Sequence, residues 1–93
     1  MSFQTFQISG KITAIEQAVK FSEKYTERTF VVKYATSTDY SYDAALALAN
    51  TKLGMIDDFK VGDTVTVHFN PSSREAKGNW FTKLNVWKIE HQR

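Results

Sequence analysis

Residues 64–69 read TVTVHF, with Val65, Val67 and Phe69 on one parity and Thr64, Thr66 and His68 on the other. Strict period two over such a run specifies a half-buried strand, because successive side chains of a strand point to opposite faces. The same period recurs near the N-terminus. Phe6, Ile8, Ile12 and Ala14 share one parity, while Gln7, Ser9, Lys11 and Thr13 share the other. Gly10 falls on the apolar parity, where a missing side chain lets a long strand bend sharply and serve two sheets. TFVVKYA, residues 29–35, gives a further strand, rich in β-branched and aromatic residues.

Between these strands the patterning is weaker. Residues 16–28, EQAVKFSEKYTER, are polar and read as a mobile loop with a helical turn. TSTD at 36–39 is a turn. Residues 40–49, YSYDAALALA, combine strong helix formers with the alternation of Tyr40, Tyr42, Ala44, Leu46 and Leu48. Periodicity alone does not separate helix from strand here; we read a third strand. A short helical segment follows over 50–59, with Leu53, Met55, Ile56 and Phe59 placed to plug a barrel end. KVGD at 60–63 is a turn, NPSSREAKGN at 70–79 a hairpin loop, and the last strand spans 80–90. The expected order is β-β-β-short α-β-β, one domain over residues 1–93.

Composition removes several function classes. The chain has no cysteine, so disulfides, thiolate catalysis and cysteine zinc sites are excluded together. The N-terminal residues show no signal-peptide pattern, and no apolar run reaches membrane-span length, so a cytoplasmic protein without a membrane partner is expected. His68 and His91 have no mutual ligand spacing, and no phosphate loop, nucleophile elbow or dinucleotide fingerprint is present. Neither an enzyme nor a cofactor or metal is expected. The formal charge of +2, from 12 basic and 10 acidic residues, permits nucleic-acid binding without announcing it.

Five strands with a helical segment between the third and fourth is the order of the OB-fold, a small Greek-key barrel. The C-terminal residues carry a closer likeness. DDFKVGDTVTVHFN followed by REAKGNWFTKLNVWKIE resembles an uncharacterised family of small bacterial and phage proteins related to single-stranded DNA-binding proteins, common in Bacteroidetes. The matching positions are Phe59, Lys60, Val61, Gly62, Asp63, Phe69, Asn70, Arg74, Glu75, Lys77, Gly78, Phe81, Thr82, Leu84, Trp87 and Ile89. The resemblance implies a mainly β, five-stranded OB-fold barrel with a short helix between strands 3 and 4. It also implies sequence-tolerant binding of single-stranded DNA in replication or recombination; the exposed strand edges of a small barrel, which pairing would cover, point to a homo-oligomer. RNA is a further candidate ligand. Two departures point the other way. The alternate face of the third strand, Ser41, Asp43, Ala45, Ala47 and Ala49, has no cation or aromatic ring. The chain ends in HQR with no acidic tail, so partners would be recruited through the barrel surface or not at all.

Sequence-tolerant binding needs cations for phosphates and flat side chains for bases. Arg74 and Lys77, in the final hairpin, head the candidates, with Lys11, Arg28, Lys33 and Lys83 on outward positions of neighbouring strands. The candidate stacking rings are Tyr25, with Phe21 beside it, Tyr40, Tyr42 and Trp80. Trp80 enters because two parities compete in the last strand. One buries Leu84 and Val86 and turns Trp87 outward; the other buries Phe81, Trp87 and Ile89 and leaves Trp80 outward. We favour the second, which keeps three large apolar groups inside. The alternative function is an OB-fold protein-protein interaction module that binds no nucleic acid, motivated by the near-neutral charge and the alanine-rich third strand.

Overall fold

The computed structural model describes residues 3–92. The two segments with the clearest alternation form the framework. Strand β1 runs Phe6–Ile15, β2 Val19–Ser22, β3 Tyr25–Ala35, β4 Ser41–Ala49, β5 Thr64–Ala76 and β6 Asn79–His91, with a 3-10 helix at Asn50–Asp58 between β4 and β5. The sheet order is β1-β5-β6-β4-β3-β2, and an additional β1–β3 pairing closes it. The result is a five-stranded OB-fold barrel of β1, β3, β4, β5 and β6, with β2 hanging on β3 as a hairpin.

Gly10 makes the closure possible. β1 pairs with β5 from Phe6 to Lys11 and with β3 from Lys11 onward, so the strand changes partner at Lys11. A Cβ on Gly10 would collide with the carbonyl of Lys33, whose carbon lies 2.9 Å from the ideal Cβ position. Only glycine lets the two backbones approach so closely.

The core lies inside this barrel. Ile12, Phe30, Val32, Leu46, Leu48, Val65, Val67, Phe69 and Val86 pack together, all from the inward parity of their strands. Ile56 seals one end, with Leu53, Met55 and Phe59 packed against the cluster, as the plug expectation requires. The segment is a 3-10 helix. Asn50 enters it at φ 52, and its side-chain Oδ1 accepts a hydrogen bond from the Thr26 backbone N–H at 3.1 Å. Residues 40–49 are strand, as read: Leu46 and Leu48 on the inward parity outweigh the helix propensity of the alanines.

Two expectations require correction. Residues 16–28 are not a mobile loop: Val19–Ser22 pairs with Tyr25–Glu27 as a hairpin. Residues 70–79 are not a loop either. The ladder continues from Asn70 opposite Asn85 to Ala76 opposite Asn79, leaving only Lys77 and Gly78 to turn. Both have positive φ, 53° and 81°, the paired left-handed geometry of a two-residue turn that matches strand twist. These arms project from the barrel with both faces in solvent. Their sequences therefore show no inside–outside alternation.

The last strand also corrects the favoured parity. Val86 is buried and Leu84 half-buried, whereas Phe81 is 52% and Trp87 43% exposed. Ile89 nonetheless points inward, because Val67 faces Ile89, His68 faces Lys88 and Phe69 faces Val86. Trp87 is the extra residue of a bulge, and it resets the parity of everything after it.

Candidate nucleic-acid interface

The two-residue turn fixes which side chains share a face of the β5–β6 arm. Directly opposed residues in an antiparallel pair lie on the same face. One face therefore carries the pairs Asn70–Asn85, Ser72–Lys83 and Arg74–Phe81; the other carries Pro71–Leu84, Ser73–Thr82 and Glu75–Trp80. The first face continues the outside of the barrel, because Asn85 sits beside Ala47 of β4. Asn85 Nδ2 donates to the Asn70 carbonyl at 3.2 Å and to Ser72 Oγ at 2.8 Å, which stiffens the root of the arm. A pocket of about 390 Å³ is lined by Ser72, Ser73, Arg74, Phe81, Thr82 and Lys83.

The opposing wall is the β2–β3 hairpin. Phe21 and Tyr25 stand with ring centroids 6.0 Å apart. Lys83 reaches across to them, its Nζ 5.8 Å from the Phe21 ring centre and 5.4 Å from that of Tyr25. It donates to Glu27 Oε2 at 2.5 Å, and the Tyr25 hydroxyl donates to the same oxygen at 2.5 Å. Between the walls runs the outer face of β3 and β4: Glu27 beside Ala49, Thr29 beside Ala47, Val31 beside Ala45 and Lys33 beside Asp43. From Glu27 to Lys33 is six residues, about 20 Å of strand. Lys11 of β1 pairs with Lys33, placing two like charges directly opposite each other at the far end.

The sequence-nominated residues therefore divide. Lys83, Arg74 and Tyr25 gather around the groove; Lys11 and Lys33 lie together on the same outer face; Lys77 occupies the arm's tip. Arg28 is diverted: its Nη1 donates to Asp57 Oδ1 and its Nε to the Glu16 carbonyl, each at 2.9 Å, tying β3 to the 3-10 helix. Tyr42 lies on the core-side parity at the barrel mouth, its ring 5.9 Å from that of Tyr34, and Tyr40 is exposed just ahead of β4. Trp80 is 68% exposed, as read, but on the arm face opposite to Arg74 and Lys83. Phe81, assigned to the core from the sequence, is the ring that shares their face. The Lys77–Gly78 turn was the available signal, since counting outward from it pairs 74 with 81.

Electrostatics single out Glu27. Desolvation pushes its carboxyl upward, but hydrogen bonds from Lys83 and Tyr25 and the charge of Lys83 outweigh this and hold it below the usual carboxylate range. The hydrogen bond to Glu27 in turn raises Lys83 and Tyr25. Because the folded carboxyl titrates below its unfolded value, its stabilising contribution is present above the unfolded carboxylate range and is lost as pH falls through the folded value. Thermal unfolding followed from about pH 7 to pH 3 is expected to show a steeper acid loss in the native chain than in Glu27→Gln. Equal slopes would mean the carboxylate is not linked to folding. Elsewhere, His68 lies 3.0 Å from Glu90 on the opposite side of the β5–β6 sheet from the core, with its ring beside that of Trp87. Among the described residues, no helix is long and apolar enough to cross a membrane.

The sequence profile of a domain of unknown function, DUF3127, matches residues 7–90. The chain belongs to this family. No curated protein matches it. Among solved structures it is similar to Rim1, a mitochondrial single-stranded DNA binding protein from S. cerevisiae, with a TM-score of 0.76 at 11% identity over 97% of this chain and 96% of that one. The N-terminal domain of PriB from Thermoanaerobacter tencongensis, described as dimeric, superposes with a TM-score of 0.70 at 11% identity, covering 96% of each chain. A small single-stranded DNA-binding protein from Streptomyces coelicolor gives a TM-score of 0.54 at 12% identity over 99% and 96% of the two chains. At such identities the likeness establishes the OB-fold that this DUF3127 chain adopts.

Proposed function

We propose that this protein binds single-stranded DNA with little sequence preference, in replication or recombination. The observation that carries the reading is the arm face on which Arg74, Lys83 and Phe81 stand together, beside the outer face of β3 and β4. Cations there meet phosphates, and the exposed ring of Phe81 offers a face to a base. Ala45 and Ala49 of β4, which argued against binding when read from the sequence, suit a floor, since small side chains let a strand approach the sheet; Ala47 between them is already buried. Lys11 and Lys33 extend the positive surface at the far end of the groove.

Self-association accompanies this reading. The β1 edge at Phe6–Gly10 pairs with β5 on one side, and among the described residues its other side meets no strand until Lys11 joins β3. An unpaired edge of this kind invites a second copy. Light scattering after size exclusion is expected to return more than one chain per particle; a strict monomer at all concentrations would remove this part.

The test of binding is fluorescence anisotropy of a labelled oligo-dT at two salt concentrations. Binding is expected at low salt, weakening as salt rises with a log-log slope of roughly −0.7 per phosphate contact. No anisotropy change at low salt would overturn the reading. Competition with a matched oligo-rU decides between DNA and RNA. One observation favours the protein-interaction alternative: Trp80, 68% exposed, faces away from the groove. That reading requires Trp80→Ala to abolish capture of a specific protein from a nuclease-treated lysate while oligo-dT goes unbound.

A further inference from the structure

Lys83 sits centrally in the candidate groove, yet it is already engaged. Its partner Glu27 comes from 56 positions earlier in the chain, and the contact joins the two hairpins that wall the groove. The pair is asymmetric: the side chain of Glu27 is 11% exposed and that of Lys83 45%. The carboxylate is thus fixed and partly desolvated, held also by the Tyr25 hydroxyl, while the ammonium remains at the surface on a flexible stem. Ion pairs between two wet side chains contribute little; here one partner cannot move away.

Resting on the single-strand reading, we propose that Glu27 is an internal competitor for the strand's phosphates, a latch that must surrender Lys83 before the groove fills. A phosphate offers Lys83 a charge-assisted hydrogen bond much like the one it leaves. The exchange therefore yields little net energy, because Lys83 gives up one charge-assisted hydrogen bond to make another. Release has a second effect. With its Nζ drawn away from the rings of Phe21 and Tyr25, Lys83 leaves their faces open to bases. The latch keeps the site quiet toward weak anions and opens it to a ligand that supplies phosphate and base together, which is the chemistry of a single strand.

The test is a double-mutant cycle on oligo-dT binding with Glu27→Gln and Lys83→Ala. Glutamine keeps an oxygen for the Tyr25 hydroxyl but no charge for Lys83. Glu27→Gln is expected to tighten binding by roughly tenfold while leaving the salt slope unchanged, since Lys83 meets a phosphate in both complexes. In the Lys83→Ala background the same change is expected to give less than about twofold. That difference separates a latch from the general benefit of removing a negative charge, which would act equally in both backgrounds. Equal gains, or no gain, overturn the latch while a binding native chain leaves the single-strand reading intact. A native chain that fails to bind at low salt overturns the single-strand reading and the latch that rests on it. Failure of all variants overturns both. Circular dichroism establishes folding, and Glu27→Thr, suited to a strand, replaces the glutamine variant if that one unfolds.

Discussion

Alanine at Gly10 is expected to destabilise the barrel by about 3 kcal/mol, a large cost for one methyl group. The added Cβ would meet backbone: the carbonyl of Lys33, with its carbon at 2.9 Å, and Val32 Cγ1 at 3.0 Å. A flexible side chain could swing aside, but Lys33 is held in ladder on both flanks, by Lys11 and by Asp43. Relief therefore requires β1 and β3 to part where the barrel closes. Urea unfolding measures the loss, read as a lower midpoint at unchanged slope. Gly54→Ala is the control. Its new Cβ would meet only Asp57 Oδ2 at 3.5 Å, an ordinary contact, so stability should hold within about 0.5 kcal/mol. Comparable losses for both would show that the close approach at Gly10 does not hold the fold together.

Phe81→Ala is expected to weaken oligo-dT binding by about 10- to 100-fold, the range for losing one stacked base. Trp80→Ala, one residue away, is expected to stay within about twofold, since the ring stands on the other face of the arm. Arg74→Ala should lower the magnitude of the salt slope by about 0.7. Phe81 is exposed, so its truncation leaves the core untouched, and a binding loss cannot be attributed to unfolding. The opposite ranking, with Trp80 critical and Phe81 neutral, would move the strand to the other side of the arm.

Wherever a segment lies between core and solvent, its sequence announces it. TVTVHF, the N-terminal alternation with Gly10 as the bend, and the plug of Leu53, Met55, Ile56 and Phe59 all read directly, because burial on one side imposes a period. The arms carry no such imprint. Val19–Ser22 and Ser72–Ala76 are wet on both faces, so polar and turn-forming residues there look like loops. The last strand misled for a different reason. Its parity is not constant, since the bulge at Trp87 lets Val86 and Ile89 both face inward, and counting by twos through it put Phe81 inside. Arg74 and Lys83 were legible as cations but not as neighbours of Phe81, which only the ladder register reveals. Arg28 looked like a phosphate ligand until Asp57, far along the chain, was seen to claim it.

The tight turn at Lys77–Gly78 constrains how such an arm can evolve. The two strands must keep matched lengths between root and turn, so relatives with longer or shorter arms should differ by matched pairs, one residue added or removed on each strand at the tip beyond Arg74 and Phe81. A lone insertion on one strand would force a kink or rotate the tip by half a pleat, carrying Arg74 or Phe81 to the wrong side. Arm length across homologues is therefore expected to change in even steps.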